Sequence, residues 1–307
     1  MEVSLKFTLT GHQNPIFALA CDRLTTTLYT AGNDKGVVAW DLQQGKFKKV
    51  ILPVRTSVYC LHRLPNSPLM AVGERSGLVT IVDTDTDTVI ARLQHHQKPV
   101  FGLQAFRTKP ELLVSSEDGT VSVWDTRTFQ LLYHFRVAID TVRCIALNYR
   151  EDRLALGAKD SKTRIFNAND YTLLEDIHEH SAAITALCFS PDGQFLLTGG
   201  RDAQLNIFDT LNYSLVKNIT PHLFSIYGIA FHPSLPLFTT VSRDKSIKIW
   251  RATDYSLMKH ISTEKGYDSH RLSINNVLWL DDQTLVSVSD DKSARIWTLN
   301  LMDSART

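Results

Sequence analysis

One unit of about 42 residues recurs through the chain and constrains its fold more than any other feature. Its clearest copy, Leu237–Trp250, reads LFTTVSRDKSIKIW: a short apolar run, a polar Arg-Asp-Lys turn, and a second run that ends in an aromatic residue. This pattern predicts a β-hairpin. The last residues of the seven copies are Trp40, Val82, Trp124, Phe166, Phe208, Trp250 and Trp297. The spacing is 42 residues five times and 47 residues at the end.

A repeat of about 40–45 residues with four strands per unit is typical of the blades of a β-propeller. Seven repeats predict an all-β fold, a seven-bladed β-propeller of four-stranded antiparallel blades. The chain has 307 residues, which is long for one domain, but each repeat needs only its neighbours for stability. We predict a single domain of residues 1–303 and a short C-terminal tail of residues 304–307.

The first strand predicts how the ring closes. Val3–Leu9 alternates in polarity and resembles residues 46–53, an outer strand of the first unit, whereas the last repeat stops after its third strand at Trp297–Leu299. A propeller with an unpaired outer edge would expose backbone hydrogen-bonding groups. We therefore predict that the N-terminal strand completes blade 7.

The charge balance gives no bulk attraction to nucleic acid or to an anionic membrane. The chain has 33 basic and 32 acidic residues, a net charge of +1. The N-terminal sequence MEVSLKFTLTGH has no apolar signal region, and no run of 18 apolar residues occurs, so we expect no membrane contact. The four cysteines show no CxxC spacing and all fall in predicted first strands. Free thiols favour a reducing compartment, and we expect a cytoplasmic protein, with a nuclear location also open.

The repeats carry a recognisable pair of dipeptides. Gly11-His12 stands near the start of a unit, and Trp40-Asp41 and Trp124-Asp125 stand at the ends of units. With these motifs the chain resembles the WD40-repeat family over residues 3–300. It departs from the family pattern at the Trp position in Val82, Phe166 and Phe208, and at the Asp position in Asn167, Arg251 and Thr298.

Histidine, hydroxyl and carboxylate residues recur in phase in four blades. The sets are His12/Thr30/Asp34, His180/Thr198/Asp202, His222/Thr240/Asp244 and His270/Ser287/Asp291. A hydrolytic triad uses the same groups, but four copies in phase favour a structural role. The resemblance implies a buried network that the Trp completes. Blades 2 and 4 keep least of it, and we expect them to be the looser blades.

No catalytic residue, metal site or cofactor is predicted. His95-His96 and His178-Glu179-His180 could suggest a metal ion, but two ligands without a third make a weak site. No Walker or GxGxxG loop occurs, so nothing supports nucleotide binding.

The resemblance also implies which residues reach the channel mouth. In the family the first strand of each blade lines the central channel, and the turn between the second and third strands lies at the end of the Gly-His loop. The residues predicted to face the channel are Phe17, Tyr59, Phe101, Arg143, Thr185, Tyr227 and Asn275. Those predicted on the rim are Asn33, Arg75, Glu117, Lys159, Arg201, Arg243 and Asp290. The segment Ser262–Leu272 should form a longer surface loop at this end.

Proteins of this family commonly bind partners at that end. The candidate partner-binding residues are Phe17, Tyr59, Phe101, Arg143, Tyr227, Arg75, Lys159, Arg201 and Arg243. Tyr, Phe and Arg are enriched at binding hot spots, so we predict a non-enzymatic scaffold or adaptor. Its partner would be a protein or peptide that combines acidic residues with an apolar anchor.

Three other interpretations stay open at this point. The aromatic residues could simply plug a narrow channel beneath a solvated basic rim. A propeller enzyme could use a site near the channel, although the predicted mouth contains Glu117 and Asp290 but no His or Cys. Nucleic acid could bind the basic part of the rim, with a steep dependence on salt. The sequence predicts no particular small-molecule ligand.

Overall fold

The computed structural model describes residues 1–22, 26–34 and 36–300. The predicted tail, residues 304–307, lies outside this part of the chain, as does the end of the predicted domain from residue 301. In the described part, no helix is long and apolar enough to span a membrane.

The strands follow one another in seven groups. The chain begins with β1 (Glu2–Leu9). Blade 1 consists of β2 (Ile16–Asp22), β3 (Thr27–Gly32), β4 (Gly36–Asp41) and β5 (Lys46–Pro53). Blade 2 consists of β6 (Val58–Arg63), β7 (Leu69–Glu74), β8 (Leu78–Asp83) and β9 (Thr88–Gln94). Blade 3 consists of β10 (Val100–Ala105), β11 (Glu111–Ser116), β12 (Thr120–Asp125) and β13 (Leu131–Arg136).

The second half of the chain repeats this order. Blade 4 consists of β14 (Val142–Leu147), β15 (Arg153–Ala158), β16 (Thr163–Asn167) and β17 (Leu173–Ile177). Blade 5 consists of β18 (Ile184–Phe189), β19 (Phe195–Gly200), β20 (Leu205–Asp209) and β21 (Leu215–Ile219). Blade 6 consists of β22 (Ile226–Phe231), β23 (Leu237–Ser242), β24 (Ile247–Arg251) and β25 (Leu257–Ile261). The last strands are β26 (Ile274–Trp279), β27 (Thr284–Ser289) and β28 (Ala294–Asn300).

Each group forms one four-stranded antiparallel sheet, which confirms the predicted seven-bladed propeller. In the seventh sheet the order is β1-β28-β27-β26, so the first strand of the chain is the outer strand of blade 7. Val3 lies opposite Leu299, and Leu9 lies opposite Ala294. The predicted closure of the ring by the N-terminal strand is therefore confirmed.

The hydrophobic core lies between the blades. Strands such as β3 and β23 are buried along their whole length, because each covers its neighbours on both faces. One cluster joins Tyr29 and Val37 of blade 1 to Met70 and Val82 of blade 2. Val82, which takes the Trp position of the repeat, is thus an ordinary core residue.

The cysteines are free and lie in the inner strands β2, β6, β14 and β18, where the sequence places them. Burial raises the pKa of the Cys144 thiol to about 12 and that of Cys188 to about 11. Burial also raises the pKa of Cys60. These thiols are therefore protonated at neutral pH, and thiolate chemistry is suppressed.

Deleting residues 1–9 should lower the melting temperature and cause aggregation. The truncation exposes the edge of β28 and removes Val3 and Leu9 from the core, where a large buried apolar side chain contributes about 1.5–3 kcal/mol. Thermal unfolding followed by circular dichroism measures the effect. The control is the full-length chain with the exposed Ser4 and Thr8 changed to Ala, which should melt like wild type. A truncated protein that melts like the full-length one contradicts closure.

Candidate functional site: the channel mouth

A β-bulge stands at the second residue of every inner strand. In blade 1, Ile16 lies opposite Gly32 and Ala18 lies opposite Ala31, so Phe17 has no partner across the ladder. The same register shift occurs in the other six blades. The seven bulged residues are Phe17, Tyr59, Phe101, Arg143, Thr185, Tyr227 and Asn275. They are the residues that the sequence places at the channel, and a bulge is a common means of redirecting a side chain.

All seven bulged residues line one cavity of about 610 Å³. Of the rim residues predicted from sequence, Arg243 and Asp290 also line it. Two residues that the predicted mouth lacks, Cys60 and Cys144, lie in its wall, so the expectation of a mouth without cysteine is wrong. Their pKa values are raised by burial, as described above.

A repeated backbone hydrogen bond fixes the rim. The residue before each turn between the second and third strands donates its N–H to the carbonyl of the residue before the inner strand. Arg243 N–H donates to Ser225 O at 3.1 Å, and Arg201 N–H donates to Ala183 O at 2.9 Å. The seven donors are Asn33, Arg75, Glu117, Lys159, Arg201, Arg243 and Asp290. The predicted rim set is therefore in phase around the ring.

The rim cations differ in their partners. Lys159 forms an ion pair with Asp140, at 2.9 Å between Nζ and Oδ2. The exposed side chains of Arg75, Arg201 and Arg243 form no ion pair or side-chain hydrogen bond with any described residue. These three arginines are the positive charges that the rim leaves available.

Aromatic rings from three consecutive blades contact one another across the cavity wall. The ring centroids of Phe17 and Tyr59 lie 5.5 Å apart, and those of Tyr59 and Phe101 lie 5.1 Å apart in a stacked arrangement. The Cζ atom of Arg143, from the fourth blade, lies 5.0 Å from the centroid of Phe101. Blades 1 to 4 thus form an aromatic wall that ends in a guanidinium group.

On the other side of the cavity the polar groups bond to each other. Asn275 donates through Nδ2 to Asp290 Oδ1 and to the carbonyl of Ile16, both at 2.8 Å. This amide links blade 7 to blade 1 and holds the Asp290 carboxylate. The two halves of the mouth therefore differ in how completely their polar groups are paired.

The structure also shows exposed apolar residues that the sequence analysis missed. Ile139 and Leu223 are 91% and 84% exposed, and Phe224 and Leu272 are about half exposed. They lie in the loops that enter blades 4, 6 and 7, one or two residues after the position that His12 occupies in blade 1. Arg243 lies over the ring of Phe224, with Cζ 5.9 Å from its centroid. In the sequence both of these loop positions are polar in blade 1, and at least one of them is apolar in blades 4, 6 and 7. This difference could have identified the exposed apolar residues.

The repeated His, hydroxyl and Asp residues form a hydrogen-bonded chain behind the rim. In blade 6, Trp250 Nε1–H donates to Thr240 Oγ1 at 3.0 Å, and the Thr240 hydroxyl donates to His222 Nε2 at 2.8 Å. His222 Nδ1–H donates to Asp244 at 2.9 Å. Asp244 also accepts the backbone N–H groups of Leu223 and Ser246. The network joins the loop before the inner strand to the turn between the second and third strands, and each of its members has a hydrogen-bond partner.

Blade 3 has the same chain with its hydroxyl on another strand. His96 bonds to Asp118 at 2.7 Å and to Ser122 at 2.8 Å, and Trp124 Nε1–H donates to Ser122 at 2.9 Å. Ser122 lies opposite Val114, the position where blades 1, 5, 6 and 7 carry Ser or Thr. Five blades therefore hold the His–hydroxyl–Asp chain, one more than the sequence analysis counted.

Blades 2 and 4 replace the network with other buried polar groups. In blade 2 the buried Glu74 accepts hydrogen bonds from Thr56 at 3.1 Å and Thr80 at 3.2 Å. In blade 4 the buried Arg164 pairs with Asp160 at 2.7 Å. The expectation that these blades are the looser ones stays a prediction.

No group of three or more His, Cys, Asp or Glu side chains within the described ranges has the geometry to hold a metal ion. Of the sequence candidates, His178 lies 3.5 Å from Asp176, and His180 is held in the blade 5 network by Asp202 at 2.9 Å.

Comparison with known protein families gives one match. The family described as "WD domain, G-beta repeat" (WD40) matches residues 3–41, 87–125, 171–209, 213–251 and 260–298, more than half of the chain. Residues 42–86 and 126–170, which hold most of blades 2 and 4, lie outside the matched segments. No curated protein matches the chain.

Replacing Asp244 by Ala should destabilise the protein by about 1–3 kcal/mol, because His222 Nδ1–H and two backbone N–H groups lose their acceptor. The matched change one residue away, Arg243→Ala, removes an exposed side chain and should change stability by no more than about 0.5 kcal/mol. Chemical denaturation of both variants ranks them. The opposite ranking would show that the turn and the rim have been assigned to the wrong residues.

The stability of the protein should fall as the pH is lowered below 6.5, partly because of the His222 site. Burial is the main cause that lowers the pKa of His222 from its ordinary value of 6.5, so below that pH the unfolded chain binds a proton that the folded chain does not. The His222→Gln variant should show a smaller loss of melting temperature between pH 7 and pH 5 than wild type. His178→Gln, at an exposed site, serves as the control and should keep the wild-type slope.

Proposed function

The chain belongs to the WD40-repeat family, and from that premise we propose that it is a non-enzymatic scaffold or adaptor that binds a protein or peptide partner at the channel mouth. Propellers of this family commonly mediate protein interactions. The observation that carries the proposal is the open cavity lined by Phe17, Tyr59, Phe101, Arg143 and Tyr227. Aromatic and arginine side chains are the types enriched at interface hot spots.

The cavity argues against the simpler interpretation in which the aromatic residues only plug the channel. About 610 Å³ remains open between them, so the rings form a wall and leave room for a ligand group. Rings that filled the channel would remove this space, since protein interiors are close-packed. The tilted contact between Phe17 and Tyr59 and the stacked contact between Tyr59 and Phe101 also hold the rings in place before a partner arrives.

The charges at the mouth favour an acidic partner. Arg75, Arg201 and Arg243 are exposed and have no ion pair with any residue that the structure describes, whereas the Asp290 carboxylate is bonded to Asn275. Guanidinium groups bind carboxylates through two parallel hydrogen bonds. We propose a segment that presents acidic residues to the arginines and an apolar or aromatic side chain to the aromatic wall. The exposed Leu223, Phe224 and Leu272 would extend the contact over blades 6 and 7.

The two alternatives have less support. An enzyme at the mouth would need a reactive group there, but burial raises the pKa of Cys60 and Cys144. Five histidines are held in the networks behind the rim, namely His12, His96, His180, His222 and His270. Nucleic-acid binding would need a continuous basic surface, and Asp140 neutralises Lys159 on this rim.

The free cysteines favour a reducing compartment, and we propose a cytoplasmic location, with the nucleus also compatible.

Replacing Tyr59 and Phe101 together with Ala should abolish capture of a micromolar partner in a pull-down. Truncating a hot-spot aromatic residue typically costs about 2 kcal/mol or more, roughly thirtyfold in affinity. The fold should be retained, because both side chains face the cavity, and circular dichroism checks this. The matched control replaces Phe47 and Tyr149, exposed aromatic residues outside the cavity, and should keep every partner. A folded Tyr59/Phe101 variant that retains every wild-type partner excludes the mouth as the binding site.

Reversing the charge at Arg201 with Glu should slow association with the captured partner and weaken its salt dependence, because rim charges act mainly on the approach of a charged partner. Stopped-flow or surface-based association rates at two salt concentrations measure this. Arg150→Glu reverses an exposed charge in the turn between β14 and β15 and should leave the rate unchanged. Equal rates for the Arg201→Glu variant and wild type would contradict an acidic partner.

A further inference from the structure

Buried guanidinium groups elsewhere in the chain have carboxylate partners. Arg164 pairs with Asp160 at 2.7 Å, and Arg295 pairs with Asp268 at 3.0 Å. Taking a cation out of water is costly, and an opposite charge with hydrogen bonds offsets that cost. The two buried arginines of the described chain are thus both paired with a carboxylate.

Arg143 differs from both. Its side chain is partly buried in the cavity wall, yet it forms no ion pair or hydrogen bond with any residue in the described ranges. Its contact is with the face of Phe101, 5.0 Å from Cζ to the ring centroid. Burial, reinforced by the positive charge of Arg201, lowers the pKa of Arg143. Neither the Arg201 cation nor the ring of Phe101 offers an oxygen acceptor, so the N–H donors of Arg143 have no hydrogen-bond acceptor among the described residues.

Other unused donors line the same cavity. Tyr59 and Tyr227 contribute their side chains to the wall, and their hydroxyl groups form no hydrogen bond with any described residue. Both phenols line the same cavity as the Arg143 guanidinium. A planar guanidinium that is stacked on an aromatic ring and has free donors at its edge suits an oxyanion, which can accept two parallel hydrogen bonds.

We propose that Arg143 is the receptor for an oxyanion, a carboxylate or phosphate group, that enters the cavity on an aromatic or apolar carrier. The aromatic wall formed by Phe17, Tyr59 and Phe101 would pack against the carrier, and the Tyr59 and Tyr227 hydroxyls would donate to the anion. The inference deepens the proposed function. It rests on that proposal only for the idea that the anion belongs to a protein or peptide.

The position of Arg143 separates it from the rim arginines. The side chains of Arg201 and of Arg243, which also lines the cavity, are exposed and can meet a partner's acidic residues in water, where an ion pair contributes little to affinity. Arg143 lies in the cavity beside Phe101, where less water competes for its donors. One anion that reaches Arg143 should therefore matter more to affinity than several that stay at the rim.

Small probes test the site without a known partner. Isothermal titration calorimetry would compare phenylacetate, phenyl phosphate and the neutral phenylacetamide, which share an aromatic ring and differ in charge. The first two probes also distinguish the two sources of an oxyanion. We expect saturable binding of at least one anion to the wild-type protein, with at least about tenfold weaker binding of phenylacetamide.

The decisive variant is Arg143→Met, which keeps an unbranched side chain beside Phe101 and removes the charge. It should weaken binding of the preferred anion at least about tenfold, and Arg143→Lys should fall between the two because a lysine cannot bind bidentately. Arg150→Met, at an exposed turn outside the cavity, is the control and should bind like wild type.

Thermal unfolding tests whether Arg143 binds the anion or only stabilises the fold. The anion should raise the melting temperature of wild type but not of Arg143→Met, and the variant alone should melt no lower than wild type, because it removes an unpaired, desolvated cation. A variant that unfolds at a lower temperature and still binds the anion would show a structural role and overturn the proposal. Equal binding of the anions and phenylacetamide, or no saturable binding to wild type, would also overturn it.

Failure of this inference differs from failure of the proposed function. Anion binding that depends on Arg143, combined with a Tyr59/Phe101 variant that keeps every partner, would leave the oxyanion site and remove its link to a protein partner. Loss of partners in that variant, without anion binding at Arg143, would leave the docking surface and remove the receptor.

Discussion

Burial of both faces of every blade is the constraint on which the rest of the structure depends. A four-stranded sheet of this size cannot bury its own apolar faces, and each core cluster is shared between neighbouring blades. The pairing of β1 with β28 supplies the last of these interfaces, since Leu9 packs with Ile16 and Trp40 of blade 1 and with Val286 of blade 7. The ring therefore needs no capping repeat, and the first and last described strands lie in one sheet.

The bulges of the inner strands keep the frame separate from the proposed binding surface. A bulged residue has no partner across the ladder, so its side chain is free of the pairing that constrains its neighbours. That freedom allows Phe17, Arg143 and Asn275 to stand at equivalent positions in blades that otherwise share one geometry. The Asp244 position has no such freedom, because its carboxylate accepts several hydrogen bonds that join a turn to a loop. The side chains at the mouth can therefore differ from blade to blade, while the blades that hold the network keep its Asp.

The fold and the position of the mouth could be predicted because they follow from a period. One phase, read from Trp250 and its equivalents, gives the residue that follows the first apolar residue of each inner strand. In the structure these seven residues line one cavity. Contacts that do not follow from the period could not be predicted. In blade 3 the hydroxyl comes from Ser122, on the strand opposite Val114, because either of two facing positions can reach His96.

Residues that depart from the repeat pattern could not be predicted from the period either. Glu74 replaces the network of blade 2 from a position that no other blade uses for this purpose, and only the folded structure brings it to Thr56 and Thr80. Cys60 was assigned correctly to an inner strand, but its place in the cavity wall depends on how neighbouring blades pack. Pairing across blades is a property of the ring, and the repeat of one blade does not contain it.

Polar and charged side chains are paired behind the rim, but several at the mouth are not. Behind the rim, buried donors and acceptors are paired in chains such as Trp250–Thr240–His222–Asp244. At the rim and in the cavity, arginines without a carboxylate stand beside aromatic rings that remain accessible. Unpaired charge and exposed aromatic area both oppose stability in an isolated protein, and here they occur together at one end of the channel. A partner that carries anions and apolar groups would satisfy both at once, and this is the physical basis for proposing that the partner binds at the mouth.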